Sequence, residues 1–96
     1  MTKVSKIEFI ESFKLLCQFQ DGEHRILDLR KALRGPMAQR ILTTDVFPLA
    51  KVGKLGQIYW EDMGEIRGLD GQIEVCEYDI SPEFVYHNSI PVAKKI

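Results

Sequence analysis

The chain has 96 residues, 45% of them hydrophobic and 28% charged. That is the size of one domain and the composition of an ordinary soluble globular protein. No run of about 18 apolar residues occurs, which excludes a membrane-spanning helix. The glutamates in MTKVSKIEFIES argue against a secretory signal, so the expected location is cytoplasmic.

Val4 to Ile10 is expected to be the first strand, with Ile7 and Phe9 on one face and Ile10 on the other. In Phe13 to Leu29, two alternating runs flank Asp21-Gly22, a strong hairpin signal. Phe13, Leu15, Cys17 and Phe19 form the core-facing set of the first run. A tight two-residue turn at Asp21-Gly22 would place Phe19 opposite His24 and Cys17 opposite Ile26. Leu16, Leu27 and Leu29 would then share the opposite face, which a helix or a second subunit would cover.

Asp28 is placed to cap a short helix through Arg30, Lys31, Ala32 and Leu33. Pro36 suits the first turn of a second helix, from Met37 to Leu42, with Met37 and Ile41 inward. Thr43 or Thr44 can cap a last turn that Pro48 ends. Ala50 to Val52 and Gln57 to Trp60 read as short strands around Gly53 and Gly56. One more hairpin is expected between Glu61 and Glu77, with turn signals at Met63-Gly64 and Asp70-Gly71. Ser81-Pro82-Glu83 starts a helix, with Ile80 and Val85 spaced as a hydrophobic staple, and Asn88, Ser89 and Pro91 end it. The expected architecture is α+β: a small antiparallel sheet of hairpins packed against two to three short helices, in one domain over residues 1–90 with a tail at 91–96.

The net charge of −1 is unevenly placed. Residues 1–60 carry ten Lys or Arg against six acids, whereas residues 61–96 carry three against eight. Seven of those eight acids lie between Glu61 and Asp79, interleaved with apolar residues as in a folded segment.

The sequence has no phosphate-binding loop, HExxH or GxSxG motif, so no catalytic residue and no cofactor is assigned. Cys17 and Cys76 lack CxxC spacing and read as small buried hydrophobes rather than a disulfide or metal pair. His24 and His87 are the only imidazoles, and a strand position and a helix end account for them. Glu61, Asp62, Glu65 and Asp70 do not follow the calcium-loop spacing, so no metal site is assigned. They form instead a candidate surface for a basic partner. Arg30, Lys31 and Arg34, with Arg25 and Arg40, form a loose basic cluster that could meet phosphates. The pI of about 6.1 weighs against nucleic-acid binding by this domain alone. Trp60 reads as a core or interface anchor.

Several ordered motifs carry a resemblance. They are Phe19-Gln20-Asp21-Gly22, Ile26-Leu27-Asp28-Leu29, Gly35-Pro36, Asp45-Val46-Phe47, Gly56-Gln57-Ile58-Tyr59-Trp60 and Asp79-Ile80-Ser81-Pro82-Glu83-Phe84-Val85-Tyr86. In this order, over roughly residues 3–90, the chain resembles a small bacterial family, domain of unknown function 2442. The resemblance implies a small α+β fold. In longer relatives the module precedes a helix-turn-helix domain, and some relatives are encoded beside partners in a toxin–antitoxin-like arrangement. It carries over no catalytic residues. The chain departs from the pattern in the acid-rich stretch from Glu61 to Tyr78, and no helix-turn-helix segment is expected within these 96 residues.

The expected function is therefore a non-enzymatic, cytoplasmic protein-interaction or regulatory module, antitoxin-like and homodimeric. The alternatives are a component of a nucleic-acid-linked transcriptional regulator and a small hydrolase or metal-dependent enzyme using His24, His87 or the acids.

Overall fold

In a computed structural model, which describes residues 2–67, 71 and 73–92, three hairpins each turn on a loop of three residues. Strands β1 (Val4–Ile10), β2 (Lys14–Phe19) and β3 (His24–Asp28) form an antiparallel meander. Two short helices follow, α1 (Leu29–Ala32) and α2 (Pro36–Ile41), and then a 3-10 turn at Phe47–Leu49. Strands β4 (Lys51–Val52), β5 (Ile58–Arg67) and β6 (Ile73–Ile80) make a second antiparallel sheet. Helix α3 (Pro82–Asn88) then returns the chain to the first sheet, where β7 (Ser89–Val92) pairs with β3. The α+β class is as expected, with two sheets of four and three strands in place of one.

The local signals act as chemistry requires. The Asp28 carboxylate accepts from the Arg30 amide at 3.1 Å and starts α1. Ser81 Oγ accepts from the Phe84 amide at 3.1 Å, with Pro82 in the first turn where no amide is needed. Thr43 Oγ1 accepts from the Val46 amide at 3.2 Å. Pro48 does not end this segment: it lies within the 3-10 turn, whose first positions need no amide donor.

The β2–β3 register corrects the expected one. Cys17 lies opposite Arg25, Leu16 opposite Ile26, and Leu15 opposite Leu27. Asp21-Gly22 is not a two-residue turn. The loop is Gln20-Asp21-Gly22, closed by Gly22 N–H donating to Phe19 O at 2.9 Å, with Gly22 at φ 91°. Lys54-Leu55-Gly56 repeats this loop, with Gly56 N–H donating to Gly53 O at 3.0 Å and φ 79°. The added residue moves every β3 side chain to the other face. Leu27 and Leu29 are therefore fully buried in the protein's own core and need no second subunit to cover them. Leu16 keeps the outer face, joined there by Ile26.

The core is one cluster. The inner face of the first sheet supplies Leu15, Cys17, Phe19 and Leu27, and the second sheet supplies Ile58, Trp60 and Ile80. The helices and their connections add Leu29, Leu33, Ala38, Ile41, Phe47 and Val85. Trp60 is the largest fully buried side chain, and its indole N–H donates to Phe47 O at 3.4 Å. Met63-Gly64 is not a turn, because β5 runs through it, with a register irregularity between Trp60 and Gly64. Ser89–Val92 extends the ordered chain beyond the expected boundary at residue 90, as an edge strand that tolerates Pro91.

Candidate functional site

The most developed polar arrangement joins β3 to the end of the chain. Arg25 points to the inner face with its side chain only 11% exposed, where a cation needs partners. Its Nε donates to Ser89 Oγ and one terminal nitrogen to Ser89 O, both at 2.7 Å. The other terminal nitrogen pairs with Glu23 at 2.7 Å. The guanidinium lies over the Tyr86 ring, whose hydroxyl donates to the second Glu23 oxygen at 3.3 Å. The Tyr86 ring also meets Phe19 edge-on at 5.5 Å. Each member of this cluster is bonded to another, so it is a clamp holding α3 and β7 on the hairpin. Sequence reasoning placed Arg25 among surface cations. Two of its three partners, Ser89 and Tyr86, lie more than sixty positions away, and the one available signal was its alternation in step with Leu27 and Leu29.

His24 sits on the outer face of β3, with Nδ1 3.0 Å from Gly22 O. His87 is in the last turn of α3, beside the Tyr86 ring at 6.0 Å. Cys17 is fully buried, and burial pushes its thiol up to about 12, so it is no nucleophile at neutral pH. Cys76 lies in β6 opposite Gly64. Among the described residues, no group of three or more His, Cys, Asp or Glu is arranged to hold a metal ion. Among the described residues, no helix is long and apolar enough to cross a membrane.

The acidic candidates fall on the second sheet. Glu61 lies in β5 and pairs with Lys51 at 3.3 Å, both side chains well exposed. Asp62 and Glu65 are further along the same strand. Their side chains, and the whole of Asp70, lie outside the described residues. Beyond Tyr59 the only strand paired with β5 among the described residues is β6, and β6 pairs with β5 alone. The basic candidates are close in sequence along α1 and just after it: Arg30, Lys31 and Arg34 are all exposed. Arg30 lies over the Phe13 ring, 5.0 Å from its centroid.

A cleft of about 430 Å³, which sequence reasoning missed, opens between Lys3, Gln57, Asp79, Ser81 and Glu83. Its charged lining is of mixed sign, Lys3 against Asp79 and Glu83, and singles out no class of ligand. Comparison of the chain with family models, with curated proteins and with solved structures returns no match.

Proposed function

We propose that this chain is a non-enzymatic, cytoplasmic protein-interaction module that takes a basic protein partner on the β5–β6 ribbon. The observation that carries this reading is the ribbon's pairing: past Trp60, among the described residues, β5 and β6 pair only with each other, and the stretch from Glu61 to Asp79 holds seven of the chain's fourteen acids. A two-stranded ribbon is marginal by itself in water and gains most from a partner along its edges. Its negative charge speeds encounter with a basic surface and disfavours an acidic one. The module is homodimeric and antitoxin-like in this reading. Kinship with the small bacterial family is part of the same proposal and is supported by the order of the sequence motifs.

The test is affinity purification of the wild type beside a variant with Glu61→Gln, Asp62→Asn, Glu65→Gln and Asp70→Asn. The wild type retains a basic protein that is released by salt, and the variant loses it. Equal retention by both ends the proposal.

A second reading, a nucleic-acid-linked regulator, is favoured by the joint exposure of Arg30, Lys31 and Arg34 on and just after one helical turn. It expects a salt-sensitive shift of duplex DNA that is lost on replacing these three residues with Ala. A wild type that shifts no DNA at low salt removes it.

A further inference from the structure

We infer that the outer face of the four-stranded sheet is the contact surface of a two-fold homodimer, with Leu16 seated on Ile26 of the partner subunit. The inference rests on the homodimeric reading above and names its surface.

The registers lay the outer face out in rows. Glu8, Leu16, Ile26 and Ile90 run straight across β1, β2, β3 and β7. On one side of that row lie Lys6, Gln18, His24 and Val92, and on the other Ile10, Lys14 and Asp28. None of these residues is buried, and Ile90 is 69% exposed. An apolar stripe is thus left in water at the centre of a face whose four charges, Lys6, Glu8, Lys14 and Asp28, cancel. A neutral face of this kind suits a second copy better than a strongly charged partner.

Two features favour face-to-face over edge-to-edge association. β1 is bulged between Val4 and Lys6, and β7 carries Pro91, so both outer edges of this sheet are poor templates for another strand. A two-fold axis parallel to the strands, between β2 and β3, exchanges those strands. It sets Leu16 over Ile26 of the partner subunit, Lys14 over Asp28 of the partner subunit and Gln18 over His24 of the partner subunit, each contact occurring twice. An axis across the strands would instead set Glu8 against Glu8 of the partner subunit, two like charges. Packed sheets cross at about 30°, which lifts the corners apart and leaves the Lys6 head in water, while Glu8, on the edge strand opposite Ile90 of the partner subunit, keeps its head in water at the rim. Four strands at about 4.8 Å and five residues at about 3.4 Å give a face of roughly 300 Å². That is well under the ~800 Å² per partner of a tight complex. The dimer is accordingly weak and reversible.

Sedimentation equilibrium of the full chain tests this. Lys14→Glu alone opposes its new carboxylate to Asp28 of the partner subunit, and Asp28→Lys alone opposes two lysines. Each variant is expected to dimerise about tenfold more weakly than the wild type. Mixing the two restores opposite charges at both contacts, so a heterodimer forms with near wild-type strength. The Lys14–Asp28 pairing within one chain cannot produce that recovery. Circular dichroism checks that Asp28→Lys still folds without its cap. Should it unfold, Ile26→Glu, at a partly exposed strand position, carries the test and is expected to be monomeric. A wild type that stays monomeric to millimolar concentration overturns the homodimer itself. A dimer that persists unchanged in Ile26→Glu, or a mixture that fails to recover, overturns this surface and leaves homodimerisation standing.

Discussion

The Arg25 guanidinium lies 4.1 Å from the centroid of the Tyr86 ring while both residues hold opposite oxygens of the Glu23 carboxylate. The aromatic face and the carboxylate together compensate a cation that has largely left water. Arg25→Ala strands Ser89 O and half of Glu23. Because Glu23 keeps partial access to solvent, the expected loss is moderate, about 2 kcal/mol. Tyr86→Phe removes only the hydroxyl and should cost about 1 kcal/mol. Urea unfolding of both variants measures the difference; equal midpoints for Arg25→Ala and wild type would refute the clamp.

Gly56 and Gly22 occupy the same position in equivalent loops, yet they should respond differently to alanine. Both have positive φ, which costs an alanine about 1 kcal/mol. A Cβ on Gly22 meets open space, whereas one on Gly56 would lie 2.8 Å from the Lys3 backbone Cα. Gly56→Ala must therefore also loosen the hydrogen bond from Val4 N–H to Gly56 O. It is expected to cost at least about 1 kcal/mol more than Gly22→Ala. Thermal melts of the two variants side by side decide it.

Ser12 and Phe13 turn the first hairpin with φ 63° and 60°, a left-handed pair without glycine. Phe13 is held there by its ring, edge-on to Phe47 at 5.3 Å, and by its carbonyl, which accepts from the Leu29 amide at 3.0 Å. Ser12 is exposed. Ser12→Asn, which tolerates this conformation better, should raise stability by about 0.5 kcal/mol. Phe13→Gly relieves strain but forfeits the ring, and the net change should be destabilising by about 2 kcal/mol. A Phe13→Gly variant as stable as wild type would show that the ring contributes little.

Cys17 gives a pH dependence whose sign follows from burial. Its thiol is raised from 9.0 to about 12 in the folded state. The unfolded chain therefore loses this proton first, and the native state binds more protons between these two values. The contribution is intact below pH 9.0 and is lost as pH rises toward 12, at up to about 1.4 kcal/mol per pH unit. Cys17→Val removes this component. The stability of wild type relative to the variant should therefore fall from pH 9 to pH 11, and native Cys17 should resist alkylation at pH 8. Rapid alkylation without denaturant would contradict the burial.

Caps were legible in the sequence because they are local: Asp28 and Ser81 each act within three residues. Strand existence was legible for the same reason, through alternation. Register was not, because Asp-Gly fits both a two-residue turn and a three-residue loop ending in a left-handed glycine. The pattern did hold the answer. Arg25, Leu27 and Leu29 are a more apolar set than His24, Ile26 and Asp28, and burial favours the more apolar set. The Arg25 cluster was out of reach, since its members meet only once β7 returns. The acid-rich stretch was visible as composition, whereas its place on a ribbon that, among the described residues, pairs only with itself past Trp60 is a matter of topology.

The return of β7 has a kinetic consequence. The three short-looped hairpins close over neighbouring residues, but the β3 edge waits for a strand more than sixty positions later. Such pairing is slow, because a long loop must close before any contact rewards it. Until then Arg25 and Glu23 have each other but not Ser89 or Tyr86, and the hairpin edge is open to other chains. Docking of the C-terminal strand is thus the natural last step of folding, and the step at which a nascent chain is most exposed to mispairing.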